Sequence, residues 1–325
     1  MIKGKRILVT GGTGFIGTNL VRKLMDYGAD VYILTSSLTR RQNDFEKVSG
    51  KTTPLLVRGN LKVDGNINDL IRQVRPDGVF HLATSTIMSG VAAPYKELVE
   101  TNVLGTHNLI DALADIDYKF FINVGSFTEY GFQKGPIKET DRCEPTDDYS
   151  ATKLASTLYA QRVARTHGKP IVTFRVFTPF GPFIQKGRLV YNVLLNAMKG
   201  TPIRMTSPYV TRDFVYVDDL VDLFIEGAER AYAYRGEIFN AASGVKTTLQ
   251  EVIQEALVVT ESKSPVEWGV LPNVSYDSDI WQADMSKTFG SFKFWRPQTT
   301  FSSGMARTHS WLRENLHRYD ETIQS

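Results

Sequence analysis

Short apolar runs alternate with amphipathic stretches over the first 170 residues of the chain. This alternation is typical of βαβ units, in which consecutive strands form a parallel sheet. The predicted strands are residues 6–10, 30–34, 53–57, 78–83, 120–124 and 171–177. The predicted helices between them are residues 14–27, 64–74, 94–114 and 150–166.

The pattern becomes irregular after residue 177. Helices are predicted at residues 189–198, 218–231, 249–258 and 303–316. Segments rich in Pro, Gly and Ser separate them, at residues 179–187, 201–208 and 262–277. Such segments favour loops, so this part of the chain is expected to form a smaller domain interrupted by loops.

Composition indicates a globular protein with a substantial core. The chain has 325 residues, of which 42% are hydrophobic and 22% are charged, so it is not expected to be mainly disordered. Lys and Arg outnumber Asp and Glu by only 38 to 35 and are scattered, so we expect no nucleic-acid partner. One cysteine, and five histidines without metal-ligand spacing, predict neither a disulfide nor a metal site.

The first residues run from Lys3 and Lys5 into a strand-like segment, without the apolar stretch of a signal peptide. No window holds eighteen consecutive apolar residues. A cytoplasmic protein without membrane contact is therefore the expectation.

A glycine-rich loop follows the first predicted strand directly and opens the first predicted helix. Its sequence is Gly11-Gly12-Thr13-Gly14-Phe15-Ile16-Gly17. In such a loop the glycines permit a tight turn, a close backbone approach to a pyrophosphate and close packing of the helix on the strand. The sequence therefore predicts dinucleotide binding, with Gly11, Gly14, Phe15, Ile16 and Gly17 as cofactor-binding residues.

The end of the second predicted strand bears on which dinucleotide binds. An acidic residue there would hold the ribose 2′-hydroxyl and repel a 2′-phosphate, but residues 31–41 contain none. They offer instead the hydroxyls of Thr35, Ser36 and Ser37 and the guanidinium groups of Arg40 and Arg41. We therefore predict NADP(H) rather than NAD(H), the alternative being that the arginines only solvate a loop.

Tyr149 and Lys153 are four residues apart in a predicted helix, so the phenol and the ammonium lie on one helical face. A nearby ammonium favours the phenolate, so the pKa of Tyr149 is expected to be lowered. Such a phenol could exchange protons with an alcohol or ketone. A pair with this spacing can also be an ordinary solvated face.

Several ordered motifs together resemble the short-chain dehydrogenase/reductase superfamily, in its extended nucleotide-sugar branch labelled epimerase/dehydratase. Besides the glycine loop and the Tyr-Lys pair, these motifs are His81-Leu82-Ala83, residues 102–106, residues 125–131 and residues 212–219. The resemblance implies a Rossmann-type doubly wound domain over residues 1–177, joined by 211–235. It also implies a smaller, mainly nucleotide-sugar-binding domain over residues 178–325, and a homodimer formed through helices 94–114 and 150–166.

The resemblance also implies residue roles. Tyr149 would be the general acid/base, and Lys153 would tune it and bind the nicotinamide ribose. Ser126 would hydrogen-bond the reacting sugar oxygen, with Thr128 as a competing hydroxyl, whereas the alternative for Ser126 is a turn-capping hydroxyl. Arg212 would grip the substrate diphosphate, the alternative being a salt bridge to Asp213.

Further positions follow from the same resemblance. Leu82 and Ala83 would line the cofactor site after the fourth strand. Asn60, followed by Leu61, stands where many relatives carry an Asp that meets the adenine amine, and its amide oxygen can accept that hydrogen bond. Thr178 stands where relatives often have a substrate-binding Asn.

Three reactions share such a site, and the residues after Ser126 bear on the choice. A 4,6-dehydratase of the family carries an Asp-Glu pair there, whereas this chain has Phe127 and Thr128, with Glu129 displaced by one position. This departure disfavours dehydration, and the order Ser-x-x-Glu-Tyr-Gly resembles reductases of 4-keto-6-deoxy nucleotide sugars. The resemblance therefore implies an NADPH-dependent reductase of a nucleoside-diphosphate 4-keto-6-deoxyhexose, in which Tyr149 would be the general acid. The alternatives are a nucleotide-sugar 4-epimerase with tightly bound NAD and a non-catalytic NADP(H)-binding protein.

Overall fold

The computed structural model describes residues 2–36, 54–62, 64–86, 93–271 and 280–320. Its strands are β1 (Arg6–Thr10), β2 (Asp30–Thr35), β3 (Leu55–Arg58), β4 (Gly78–His81), β5 (Phe120–Ser126), β6 (Ile171–Val176), β7 (Thr178–Phe180), β8 (Ile203–Arg204), β9 (Thr211–Tyr216), β10 (Ile238–Ala241), β11 (Lys246–Thr248) and β12 (Val266–Glu267). Its α-helices are α1 (Phe15–Asp26), α2 (Asp64–Val74), α3 (Tyr95–Leu98), α4 (Gly105–Ala112), α5 (Asp148–His167), α6 (Leu189–Lys199), α7 (Val217–Glu229), α8 (Leu249–Val259), α9 (Ser286–Ser291), α10 (Phe301–Asn315) and α11 (His317–Asp320). A π-helical segment, Val99–Leu104, joins α3 to α4, and a 3-10 helix covers Phe127–Tyr130.

Seven parallel strands form the central sheet, in the order β10-β6-β5-β4-β1-β2-β3. Both faces of the sheet are covered, because alternate residues of its strands belong to different hydrophobic clusters. Ile7 and Val9 of β1 pack in one cluster with α1 and α7, whereas Leu8 packs in the other with α2, α4 and α5. This arrangement confirms the predicted α/β fold with a Rossmann-type doubly wound parallel sheet.

The predicted elements differ from the structure at a few points. The fourth strand ends at His81, two residues before its predicted end, and the predicted helix over 94–114 contains the π-helical segment Val99–Leu104. Strand β10 was not predicted, although it pairs in parallel with β6 and completes the sheet. The start of the predicted third strand, residue 53, lies outside the described residues.

The second half of the chain contributes to the central layers as well as to smaller sheets. Helix α7 packs against α1 and β5, and β10 forms an edge of the central sheet. Strands β11, β9 and β7 form a separate three-stranded sheet, and β12 pairs with β8. The division into two domains and the homodimer stay predictions.

Within the described ranges, no helix combines the length and the apolar character needed to cross a membrane. In the same ranges, His, Cys, Asp and Glu residues form no group of three or more that could hold a metal ion.

Candidate active site

The glycine loop, Leu82, Ala83 and Ser126, which are among the predicted site residues, lie where β1, β4 and β5 end. These strands are neighbours and run in parallel, so their carboxyl ends lie at one edge of the sheet. The glycine loop follows β1, Leu82 and Ala83 follow β4, and Ser126 is the last residue of β5. Ligands of open α/β sheets bind at this edge.

The glycine loop is shaped so that little but glycine fits. Gly11 has φ +68°, and a Cβ atom there would lie 2.7 Å from the Ala83 nitrogen. A Cβ at Gly17 would lie 2.2 Å from the Gly11 oxygen, so α1 packs directly on the loop. Phe15 is buried beside them, and Ile16 is partly buried.

The amino end of α1 suits the phosphates of a dinucleotide. Gly14 caps the helix without a side-chain hydrogen bond, and the first turn carries no acidic residue. Its N–H groups and the helix dipole therefore favour an anion at this end. A bound nicotinamide dinucleotide would supply or accept a hydride at this edge of the sheet.

We expect Gly11→Ala to weaken dinucleotide binding about tenfold to a hundredfold, because its Cβ would displace the loop that donates to the phosphates. Calorimetric titration with NADPH and NADH measures the effect. Gly168→Ala is the matched control, since Gly168 has φ +65° but a Cβ there would meet nothing within 4 Å. Equal dinucleotide affinity in the two variants would contradict the assignment of the loop.

His81 braces the ends of β1 and β4 and is not a proton donor. Its Nδ1 is hydrogen-bonded to Thr10 Oγ1 at 2.7 Å and its Nε2 to Thr106 Oγ1 at 2.9 Å. Burial lowers the pKa of His81 to about 3, so the ring is neutral. The Thr10 hydroxyl also accepts a hydrogen bond from the Ala83 nitrogen at 3.2 Å, which fixes the chain after β4.

Ser126, Thr128 and Tyr149 lie together. Ser126 Oγ and Thr128 Oγ1 are 2.8 Å apart. The Ser126 side chain also lies close enough to the Tyr149 hydroxyl to act on its pKa. Ser126 Oγ also accepts a hydrogen bond from the Thr128 nitrogen at 3.2 Å, so the hydroxyl does cap the 3-10 helix. The turn-capping alternative and the site placement therefore both describe this residue.

The pKa of Tyr149 is raised, contrary to the expectation that it would be lowered. Burial is the largest cause, and hydrogen bonds from Ser126 and Thr86 and the Arg188 guanidinium oppose it only in part. Neither Thr86 nor Arg188 was among the predicted site residues. Thr86 could have been found from its place just after β4, whereas nothing in the local sequence marks Arg188.

Lys153 lies one helical turn beyond Tyr149 and is only 5% exposed. Its Nζ donates a hydrogen bond to the Val124 carbonyl at 2.6 Å, which ties the ammonium to β5. Burial lowers the pKa of Lys153 to about 8, and the carboxylate of Glu129 acts against that shift.

Asn102, at 1% exposure, holds the segment after β4 against α5. Its Oδ1 accepts hydrogen bonds from Thr84 Oγ1 and the Ser85 nitrogen, both at 2.9 Å, and its Nδ2 donates to Thr152 Oγ1 at 3.0 Å. Thr152 stands between Tyr149 and Lys153. From the sequence, Asn102 was predicted only as part of a family motif, although an amide in an apolar helix pattern indicates a buried hydrogen-bonding role of this kind.

The predicted adenosine-side residues are only partly described. Thr35 ends β2 and is partly buried, and Ser36 is exposed. Asn60 Oδ1 accepts a hydrogen bond from the Lys62 nitrogen at 3.0 Å, and Leu61 is buried. Ser37 and the two arginines, Arg40 and Arg41, lie outside the described residues.

Arg212 and Thr178 belong to the small sheet formed by β11, β9 and β7. Thr178 pairs with Phe214, two residues beyond Arg212 on the neighbouring strand. Adjacent residues of a strand point to opposite faces, and the Asp213 carboxylate accepts hydrogen bonds from the Ser243, Gly244 and Ala283 nitrogens. This placement argues against the salt bridge between Arg212 and Asp213.

The profile of the NAD dependent epimerase/dehydratase family matches residues 7–242. The chain belongs to this family. It is thereby a member of the nucleotide-sugar-modifying epimerase/dehydratase superfamily, as the ordered motifs predicted.

Relatives of this epimerase/dehydratase family member carry two kinds of name. A probable dTDP-glucose 4,6-dehydratase of Sinorhizobium fredii is 28% identical over an alignment of 334 positions, which covers 95% of this chain and 93% of the relative. Epimerase Mth375 of Methanothermobacter thermautotrophicus is 27% identical, with a TM-score of 0.86 and coverage of 99% and 96%. A UDP-glucose 4-epimerase of Thermus thermophilus in complex with NAD, at 23% identity, shows the same fold with a TM-score of 0.83 and coverage of 95% and 99%.

In this family member, the displaced Glu129 cannot take the place of the Asp-Glu pair of a 4,6-dehydratase. Its side chain is 0% exposed and forms an ion pair with Arg175, between Glu129 Oε2 and Arg175 Nε at 2.8 Å. The carboxylate therefore lies behind the strand end and not among the hydroxyl groups of the site.

Proposed function

We propose that the protein reduces the 4-keto group of a nucleoside-diphosphate 4-keto-6-deoxyhexose with NADPH. The observation that carries the proposal is the cluster of Ser126, Thr128 and Tyr149, in which the described residues offer hydroxyl groups and no free carboxylate. Reduction of a ketone needs a proton donor to the oxygen and groups that orient it.

Tyr149 is suited to be that donor. Because burial raises its pKa, the phenol is protonated at neutral pH. It would give its proton to the ketone oxygen, while Ser126 Oγ donates a second hydrogen bond to the same atom. Lys153, fixed on the Val124 carbonyl, would hold the nicotinamide ribose and help Tyr149 to recover a proton.

The residues after Ser126 disfavour dehydration. The Phe127 ring stacks on Phe177, with centroids 5.3 Å apart, and meets the edge of Trp281 at 4.7 Å. This aromatic wall cannot exchange protons with a sugar, and it suits the methyl group of a 6-deoxyhexose. Glu129 is enclosed by its own partners.

The remaining assignments belong to the same proposal. Arg212 and Thr178 would contact the diphosphate, and Asn60 the adenine of the cofactor. The preference for NADPH rests on residues 31–41, which contain no acid.

A 4-epimerase is the second candidate, favoured by the name of the solved relative at 27% identity. An epimerase needs Tyr149 to accept a proton in its first step and to donate one in its second. Because the pKa of Tyr149 is raised, the phenol is in its protonated form at neutral pH, and this favours its role as donor, as in the reductase.

Product analysis distinguishes the candidates. The protein would be incubated with a dTDP-4-keto-6-deoxyhexose and NADPH or NADH, and separately with a UDP-hexose or a dTDP-hexose and NAD⁺, and the sugars identified by mass spectrometry and NMR. We expect one NADPH to be consumed for each ketone reduced, and no change in the UDP-hexose. Interconversion of UDP-hexoses without net consumption of a dinucleotide would establish the epimerase, and loss of water from a dTDP-hexose would establish a dehydratase.

A further inference from the structure

A buried charge pair lies directly behind the end of β5. The side chains of Glu129 and Arg175 are 0% and 3% exposed, and the Arg175 guanidinium lies 4.4 Å from the centre of the Tyr130 ring. Burying two charges is costly, and a pair of apolar residues often serves stability equally well. The pair therefore points to a role beyond packing.

The second carboxylate oxygen of Glu129 reaches the active-site strand. Glu129 Oε1 accepts hydrogen bonds from the Ser126 nitrogen at 2.8 Å and from Thr157 Oγ1 at 3.0 Å. A Cβ atom at Gly125 would lie 2.6 Å from the same oxygen, so the strand makes room for the carboxylate with a glycine. The backbone of Ser126 is thus fixed from behind by a charged acceptor.

Lys153 is bound to the same strand edge. Its Nζ donates to the Val124 carbonyl at 2.6 Å. Alternate residues of a strand direct their backbone groups to the same edge, so the Val124 carbonyl and the Ser126 N–H lie side by side. Thr157, which donates to Glu129, stands one helical turn beyond Lys153, so the carboxylate and the ammonium are close neighbours along this edge.

We propose that Glu129 is a positioning residue for the reaction: its carboxylate, oriented by Arg175, fixes Ser126 and supplies the negative charge that allows Lys153 to stay an ammonium in a buried site. The inference rests on the proposed function only for the roles of Ser126 and Lys153 in the reaction. The charge relation between Glu129 and Lys153 is testable without turnover.

The charges around Lys153 agree with this role. Glu129 acts to raise the pKa of Lys153, against the larger effect of burial. His81, on β4, is neutral, because its pKa is lowered to about 3, and Tyr149, on α5 itself, stays protonated because its pKa is raised. Arg175, on β6, is the like charge, and its Nε is held by Glu129.

On the helices packed against α5, Glu97 accepts a hydrogen bond from Ser85, Glu100 pairs with Lys62, and His107 packs against Tyr159. The other charged or titratable side chains of these helices, Tyr95, Lys96 and Asp111, are exposed to solvent.

NMR titration of protein labelled with [ε-¹³C]lysine tests the inference, with the Lys153 signal assigned from its loss in Lys153→Met. Glu129→Gln keeps the shape and the oxygen acceptor for the Ser126 nitrogen but removes the charge. We expect the titration midpoint of Lys153 to fall by roughly one pH unit. An unchanged midpoint in the folded variant would overturn the proposal.

A double variant guards against failure to fold. Glu129→Gln leaves Arg175 buried and unpaired, whereas Glu129→Gln/Arg175→Met is neutral throughout and should fold. The Lys153 midpoint should fall in the double variant as well, but by less, because loss of the Arg175 charge acts in the opposite direction. Asp219→Asn is the control, because it removes another buried carboxylate, whose hydrogen-bond donors are the Gln298 and Thr299 nitrogens. The midpoint should not move in this variant, and an equal shift in it would overturn the proposal.

Kinetics separate a charge effect from a merely structural one. If the Lys153 midpoint falls from about 8 to about 7, the charged fraction falls about fivefold at pH 8 and hardly changes at pH 6. We expect kcat/KM for NADPH in Glu129→Gln to follow this difference. An equal loss at both pH values would contradict the inference. If the wild type reduced no ketone but the Lys153 midpoint still fell in Glu129→Gln, only the proposed function would be contradicted.

Discussion

Replacement of Tyr149 by Phe should lower the rate of ketone reduction by about 10²–10⁴-fold, with folding and dinucleotide affinity retained. The substitution removes only the phenolic hydroxyl and keeps the ring. Because that hydroxyl lies near the Ser126 side chain at the sheet edge, its loss should leave the ketone oxygen without its proposed proton donor. Stopped-flow measurement of NADPH oxidation in a single turnover reports the chemical step directly.

Tyr159→Phe is the matched control, since Tyr159 lies on the same helix and packs against His107, with ring centroids 5.0 Å apart. Its rate should equal that of the wild type. Near wild-type turnover in Tyr149→Phe would refute the assigned proton donor and direct attention to Thr128 or Thr86.

Replacement of Lys153 by Met should stabilise the fold while it removes activity. Burial lowers the pKa of Lys153 from 10.5 to about 8, and such a shift corresponds to about 3 kcal/mol against the folded state at neutral pH. The lost hydrogen bond to the Val124 carbonyl offsets about 1 kcal/mol of this gain. We therefore expect the free energy of unfolding to rise by about 1–3 kcal/mol at pH 7, measured by urea denaturation.

The pH dependence of this gain follows from the sign of the shift. Below about pH 8 the lysine is charged in both the folded and the unfolded chain, and the full cost of burial is present. Between about pH 8 and 10.5 the folded protein loses the proton first, so the wild type gains stability and the advantage of the Lys153→Met variant shrinks. Lys119→Met, at a side chain 62% exposed, should change stability by less than about 0.5 kcal/mol. A Lys153→Met protein less stable than the wild type at pH 7 would show that burial of the ammonium does not lower the free energy of unfolding.

The local sequence was sufficient to predict the elements that have a strong hydrophobic period or a glycine-rich motif. Strand β1 and the glycine loop are where the pattern predicted them, because apolar runs and glycine geometry are local properties. Strand β10 was missed, because its four residues show no alternation and include Asn240. The contacts that bury Asn240 come from Tyr130, Ile137 and Glu139, about a hundred residues away in the chain.

The sequence predicted which residues lie together in the candidate site better than it predicted their pKa shifts. The motifs predicted that Ser126, Tyr149 and Lys153 lie near one another, as they do in the structure, and their roles stay predictions. The direction of the pKa shift of Tyr149 was wrong, because the spacing of two residues does not reveal burial. The ion pair of Glu129 with Arg175 could not be predicted either, since Arg175 is 46 residues away in the chain and lies on another strand.

Transfer of deuterium from the dinucleotide to the sugar tests directly whether this site reduces a sugar ketone. The protein would be given a dTDP-4-keto-6-deoxyhexose and NADPH deuterated at nicotinamide C4, in separate reactions for each of the two faces, and the sugar product analysed by mass spectrometry and NMR. Our account predicts one deuterium at sugar C4 from one of the two labelled forms, and none with Tyr149→Phe on the same time scale. A reduced sugar without deuterium at C4, or no reduction of the ketone from either form, would contradict it.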